Sequence, residues 1–242
     1  MVRLFIYRIL IDSGAAPHVS DGYLTLTICK PAIRKSAKNG DYILALVAKT
    51  SESMKTLKKT VADKDRSFLA AYLFRVGDVV PLERYDEWCN EHAPHKLCTD
   101  EYFEGNAQYD KDLKWRPGPH GPEQRNRNLS GCNSLTSNHF VAWTSRSPHR
   151  LTVEELAGLG LTEDEVAKIG IGHKIVKLPD TDMVEMLING SNNSRKNKTK
   201  NKPNGSKNKP NGSSKNKTLK KNKNDKPNGS GRPSGKEGYT LF

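Results

Sequence analysis

Residues 2–11, 23–29, 41–48 and 68–76 are the long apolar stretches of the chain, each closed by polar or turn-forming residues. Runs of this length, rich in Val, Ile, Leu, Phe and Tyr, predict strands. Over 23–29, apolar positions alternate with Thr25 and Thr27, which suits a half-buried strand. Gly14, Pro17 and Gly22 mark 13–22 as a loop. Pro31 fits the first turn of a short helix running through Lys38, where its missing N–H costs nothing, and Asn39-Gly40 is a stop signal. Residues 82–92 predict a helix ending before Pro94, and 139–144 a short strand. Thr152 with Glu155, and Thr162 with Glu165, have the spacing of capping boxes, so two short helices begin there, and a last helix covers 180–188. A polar stretch from about 100 to 135 reads as one long loop, and loops of that length in compact domains are functional or mobile. Strands and helices interleave. The expectation is a single compact α+β domain over 1–190, with short helices and a curved sheet, open or barrel-like.

Charge changes this picture at one place only. The chain carries a formal charge of +13, but residues 1–190 hold 25 Lys+Arg against 25 Asp+Glu. The excess therefore lies in 191–242, which repeat NKPNGS, NKPNGS and DKPNGS among Lys, Asn and Ser. Leu219, Tyr239, Leu241 and Phe242 apart, this segment lacks apolar side chains, so it predicts a disordered Lys/Asn/Gly/Ser/Pro-rich basic tail. Such a tail is either a sequence-blind tether to polyanions, weakened by salt, or a low-complexity extension without a partner. No apolar window reaches the roughly 20 residues of a membrane helix. Arg8 and Asp12 interrupt the first run before it resembles a signal peptide. These features predict a soluble, intracellular protein, cytoplasmic or nuclear, without membrane contact, whose Cys29, Cys89, Cys98 and Cys132 are reduced thiols.

Several residue sets invite a chemical reading. On a helix over 31–38, Lys30, Arg34 and Lys38 fall on one face and Ile33 and Ala37 on another. The basic face is either solvated or holds an anion. Cys89, His92, His95 and Cys98 are zinc-ligand types, but every gap is two residues and Pro94 splits the set, so no metal and no organic cofactor is expected. Cys29 ends an apolar strand beside Lys30, which suits either an activated nucleophile or a small core residue. His18, His120, His139, His149 and His173 stand in no local acid–base motif. Gly170 and Gly172 let backbone approach a ligand and precede His173 and Lys174, although a helix C-cap explains them as well.

The order of certain motifs adds to this reading. Tyr7, Asp12-Ser13-Gly14-Ala15-Ala16-Pro17, Gly22-Tyr23 and Thr25-Leu26 lead to Cys29-Lys30-Pro31, Ile33-Arg34, Ala37 and Gly40-Asp41. Asn138-His139-Phe140, Trp143 and Gly172-His173-Lys174 follow. This order resembles the second type of nucleotide-modification-associated domain, over most of 1–175. His18 stands where that family tends to carry Asn, and 44–48 are apolar where it tends to be glycine-rich. The resemblance implies an association with nucleotide modification. The leading expectation is a nucleic-acid-associated domain that recognises or helps process modified nucleobases or nucleotides. Lys30, Arg34, Lys38, Asp41, His173 and Lys174 would form its nucleotide- and phosphate-binding set, with Asp12 and His139 completing the pocket. The alternative is an enzyme acting on a nucleotide base, with Cys29 or Asp12 reacting and His139 or His173 as the acid–base partner. An adaptor whose tail alone touches nucleic acid is a third class.

Overall fold

The protein is described by a computed structural model for residues 1–170 and 172–190. The expected basic tail lies outside the described residues. Among the described residues, ten strands form two sheets. The first contains β1 (Arg3–Ile9), β4 (Tyr42–Val47), β5 (Leu69–Arg75), β8 (Phe140–Ala142), β9 (His149–Arg150) and β10 (His173–Lys177). Its order is β10-β1-β4-β5-β8, with β9 also on β5. β1 and β4 are parallel, and the other pairs are antiparallel. The second sheet holds β2 (His18–Ser20), β3 (Tyr23–Leu26), β6 (Val79–Pro81) and β7 (Asn133–Ser137) in the order β2-β3-β7-β6. Neither sheet closes, so the α+β expectation holds in its open form.

The central strands are mainly apolar because both faces of the first sheet are covered. Leu4 and Ile6 of β1, with Leu44 and Leu46 of β4, pack against α5 (Val153–Gly158), α6 (Glu163–Ala167) and a helix over 182–190, here α7. Phe5, Tyr7, Ile43 and Ala45 point the other way, onto Leu24, Leu26 and Leu135 of the second sheet and Ile33 of α1 (Pro31–Ser36). Every residue of β4 is buried. At about 25 cal/mol per Å² of apolar area, such two-sided burial supplies the main drive to fold.

The remaining helices are α2 (Glu52–Leu57), α3 (Leu82–His92) and α4 (Arg125–Leu129). Both expected capping boxes form: Thr152 and Thr162 accept from the backbone of Glu155 and Glu165, whose carboxylates reach back. Among the described residues, five strands were not expected, β9 among them. β2 lies in the predicted loop, β6 leads directly into α3, β7 begins at the end of the polar stretch, and β10 follows the glycines at 170 and 172. β7 reads Asn-Ser-Leu-Thr-Ser, yet Ser134, Thr136 and Ser137 are buried. Its polarity is satisfied laterally, as in the 2.6 Å contact between the Ser134 and Thr27 hydroxyls.

Candidate active site around Cys29

β3 and α1 are joined by a tight turn in which Cys29 and Lys30 are both left-handed, with φ of 60° and 42°. Each such non-glycine residue costs about 1–2 kcal/mol, so the turn persists because its surroundings hold it. The Cys29 N–H donates to Asn128 Oδ1 at 3.1 Å, and the Cys29 carbonyl accepts from Arg34 Nε at 2.8 Å. The Lys30 carbonyl accepts from the N–H groups of Ile33 and Arg34. Lys30 Nζ donates to the Arg8 carbonyl at 3.0 Å and stands 4.7 Å from the centre of the Tyr7 ring. The result is a partly buried cysteine on an elbow between a strand and a helix.

The partner of that thiol comes from the long polar stretch. His120 Nε2 lies 3.3 Å from Cys29 Sγ, across 91 positions of sequence. The stretch is folded rather than loose. Buried Gln108 donates to the His120 carbonyl at 2.7 Å and accepts from its N–H at 3.1 Å, and Trp115 Nε1 donates to the same carbonyl. On the far side of the imidazole, Asn128 Oδ1 is 3.3 Å and Nδ2 3.0 Å from His120 Nδ1. Asn128 can therefore accept from a protonated Nδ1 or donate to a bare one, and so serves either tautomer. It is fully buried and also donates to Tyr109 Oη at 3.2 Å. Cys29, His120 and Asn128 thus form a line of thiol, imidazole and orienting amide, the geometry of an activated nucleophile.

Burial pushes the Cys29 thiol up, against the opposing pull of Arg127, Lys30 and Arg34. Burial pushes His120 down, against its hydrogen bond with Asn128. Both directions favour a neutral thiol beside a neutral imidazole, a resting state suited to general-base activation. Next to them the Tyr7 hydroxyl is fully buried and, among the described residues, has no hydrogen-bond partner. Burial and the neighbouring Cys29, Tyr72 and Asp12 push its pKa well up, so it is a neutral donor.

The other candidate residues are placed as follows. Arg34 turns into the core instead of joining a basic face. It is fully buried, and its guanidinium donates to the carbonyls of Cys29, Asn133 and Asn128. Burial lowers its pKa to about 10. The expected shared face of Lys30, Arg34 and Lys38 does not form, because α1 ends at Ser36 and Lys38 lies beyond it, exposed. Asp41 is buried, pairs with Arg3 at 2.5 Å and accepts from the Lys38 N–H at 2.8 Å. Asp12 accepts from Tyr72 Oη and from the Ser145 N–H, both at 2.8 Å. His139 Nε2 is 2.6 Å from Glu185, which also binds the Tyr42 hydroxyl, and Lys174 Nζ is 2.7 Å from Glu165. His173 is exposed and faces Tyr7 in the β1–β10 register, so both side chains leave the same face of the sheet. Cys29, Lys30 and Tyr7 therefore lie together near the C-terminal end of β1, with His173 opposite Tyr7 on the neighbouring strand. Asp41 and His139 belong to the opposite end of that sheet, beside Tyr42 and Arg75.

Among the described residues no three His, Cys, Asp or Glu side chains come together as a metal site, and no helix is long and apolar enough to cross a membrane. Cys98 Sγ donates to the Gly105 carbonyl, and His95 is exposed and pairs with Asp21.

A family profile for nucleotide modification associated domain 2 matches residues 1–210. The chain belongs to that family. The Cys29-Lys30-Pro31 elbow, Arg34 and Gly40-Asp41 all lie within the matched span of this nucleotide modification associated domain. No curated protein and no solved structure gives a significant match.

Proposed function

We propose that this nucleotide modification associated domain processes a nucleobase or nucleotide through the Cys29 thiol. One observation carries the reading: Cys29 Sγ stands 3.3 Å from an imidazole whose other nitrogen is held by a buried amide. His120 Nε2 takes the thiol proton as sulfur bonds to an electrophilic carbon of the substrate. The adduct expels a leaving group from that carbon, and the leaving group takes the proton from His120; water, deprotonated by His120, then displaces Cys29 from the same carbon, and the thiolate recovers the proton. Lys30 and the neutral Tyr7 hydroxyl supply charge and a hydrogen bond beside the sulfur. Recognition without chemistry has less support, because Arg34, Asp41 and Lys174 already bond to groups of their own fold.

The experiment is nucleotide or DNA conversion followed by mass spectrometry of the products. Cys29→Ala and His120→Ala are expected to abolish conversion while leaving the fold intact. Full turnover in either variant removes that residue from the chemistry.

A further inference from the structure

The charges of Arg127, Lys30 and Arg34 act on the Cys29 thiol, and these cations differ in what their donors already do. Lys30 Nζ is bonded to the Arg8 carbonyl and lies over the Tyr7 ring. Arg34 is sealed in the core with three carbonyls on its guanidinium. Arg127 is exposed on α4, and among the described residues its guanidinium makes no hydrogen bond or ion pair. It directly precedes Asn128, whose side chain holds both the Cys29 N–H and the His120 ring. Successive helical positions point about 100° apart, so Asn128 is buried in the site while Arg127, next to it, projects to solvent. Its charge is felt at Cys29, Lys30 and His120 alike. An unpaired arginine there has no structural work to do, and its planar fork matches phosphate oxygens.

We infer that Arg127 is the phosphate-binding residue of the Cys29 site, so that the site takes a phosphorylated nucleotide or a nucleic-acid strand in preference to a free base or nucleoside. This rests on the proposed function for its substrate class, whereas the anion site itself can be tested separately. Iodoacetate and iodoacetamide alkylate thiols by the same displacement and differ in charge. Their rate ratio at Cys29 therefore cancels the thiolate fraction and reports the local field. The ratio is read on the full-length protein by peptide mass spectrometry, which separates Cys29 from the other cysteines. Removing one nearby exposed cation is expected to lower the ratio about threefold to tenfold in Arg127→Ala at low salt, while Arg127→Lys stays within about twofold of the wild type. Salt should lower the wild-type ratio towards that of Arg127→Ala. An unchanged ratio in Arg127→Ala overturns the inference.

A second arm uses 2′-deoxynucleoside monophosphates, the parent nucleosides and a short single-stranded oligonucleotide to protect Cys29 from iodoacetamide. Phosphate-dependent protection that weakens in Arg127→Ala supports the assignment, and the better protector tells mononucleotide from strand. Protection by nucleosides equal to that by nucleotides overturns it while leaving the Cys29 reading intact. A ratio change without protection by any nucleic-acid compound keeps the anion site and removes the nucleotide.

Discussion

Arg34 donates to the backbone carbonyl of Asn128, the residue whose side chain holds both Cys29 and His120. A buried cation thus ties the thiol elbow to the loop that brings the imidazole. Arg34 also closes on the Cys29 and Asn133 carbonyls. Removing it leaves three carbonyl acceptors, one buried and two part-buried, without their donor. Arg34→Met should therefore cost about 3 kcal/mol or more by urea unfolding. Arg34→Lys should recover only part of that, since one ammonium cannot reproduce the fork. A loss below about 1 kcal/mol in Arg34→Met would show that the clamp does not hold the turn.

Gly131 supports the same clamp from behind. A Cβ added there would overlap the Arg34 guanidinium, which is buried and cannot swing away. Gly131→Ala is expected to lower stability by about 1–3 kcal/mol, the usual cost of overpacking. Unfolding of Gly131→Ala and Arg34→Met together measures the coupling: if both act through one clamp, their losses should fall short of additive.

The ionisation of Cys29 provides a pH prediction. Burial raises the thiol above its ordinary value, and the cations Arg127, Lys30 and Arg34 only partly offset it. The iodoacetamide rate at Cys29 should keep rising beyond the ordinary thiol pKa of about 8.5, without levelling off in acid. A plateau reached below about pH 7 would instead indicate a preformed thiolate–imidazolium pair.

Much of the scaffold was legible in the sequence, and the reasons differ by element. β1, β4 and β5 are covered on both faces, so they read as mainly apolar runs, broken in β1 by Arg8 and ended in β5 by Arg75. α5 and α6 carry their start signals as two capping boxes. β7 and β10 escaped for opposite reasons. β7 buries hydroxyls instead of hydrocarbon, and β10 is an edge strand whose residues are half or fully exposed. Of the candidate line only Cys29 was visible, beside Lys30 at a strand end. His120 and Asn128 were not, because their pairing with Cys29 spans 91 and 99 positions and leaves no local spacing. The one hint was the polar stretch at 100–135, too long to be a mere connection. Arg34 misled because a charged residue at helical spacing ordinarily marks a wet face.

Lys174 illustrates a cation engaged within the fold. Its ammonium, together with hydrogen bonds from Thr162, brings the Glu165 carboxyl down to about 2. The folded value lies below the ordinary one. The associated stability is therefore fully present above the usual value near 4.5, and is lost as pH falls towards about 2. In Lys174→Met the Glu165 pKa should rise but stay below 4.5, because the Thr162 hydrogen bonds remain. Carboxyl-detected NMR titration reads this directly, and an unmoved Glu165 would show that the pair does not form in solution.

The central claim is that a nucleotide binds against the Cys29 thiol. Site-resolved iodoacetamide labelling of the full-length protein tests it, with exposed Cys132 as the internal reference. Labelling is followed with and without each 2′-deoxynucleotide and a DNA oligonucleotide. The account predicts that at least one of these slows alkylation of Cys29 in a saturable way while Cys132 reacts at an unchanged rate. Equal Cys29 rates with and without every one of them, at saturating concentrations, would contradict it.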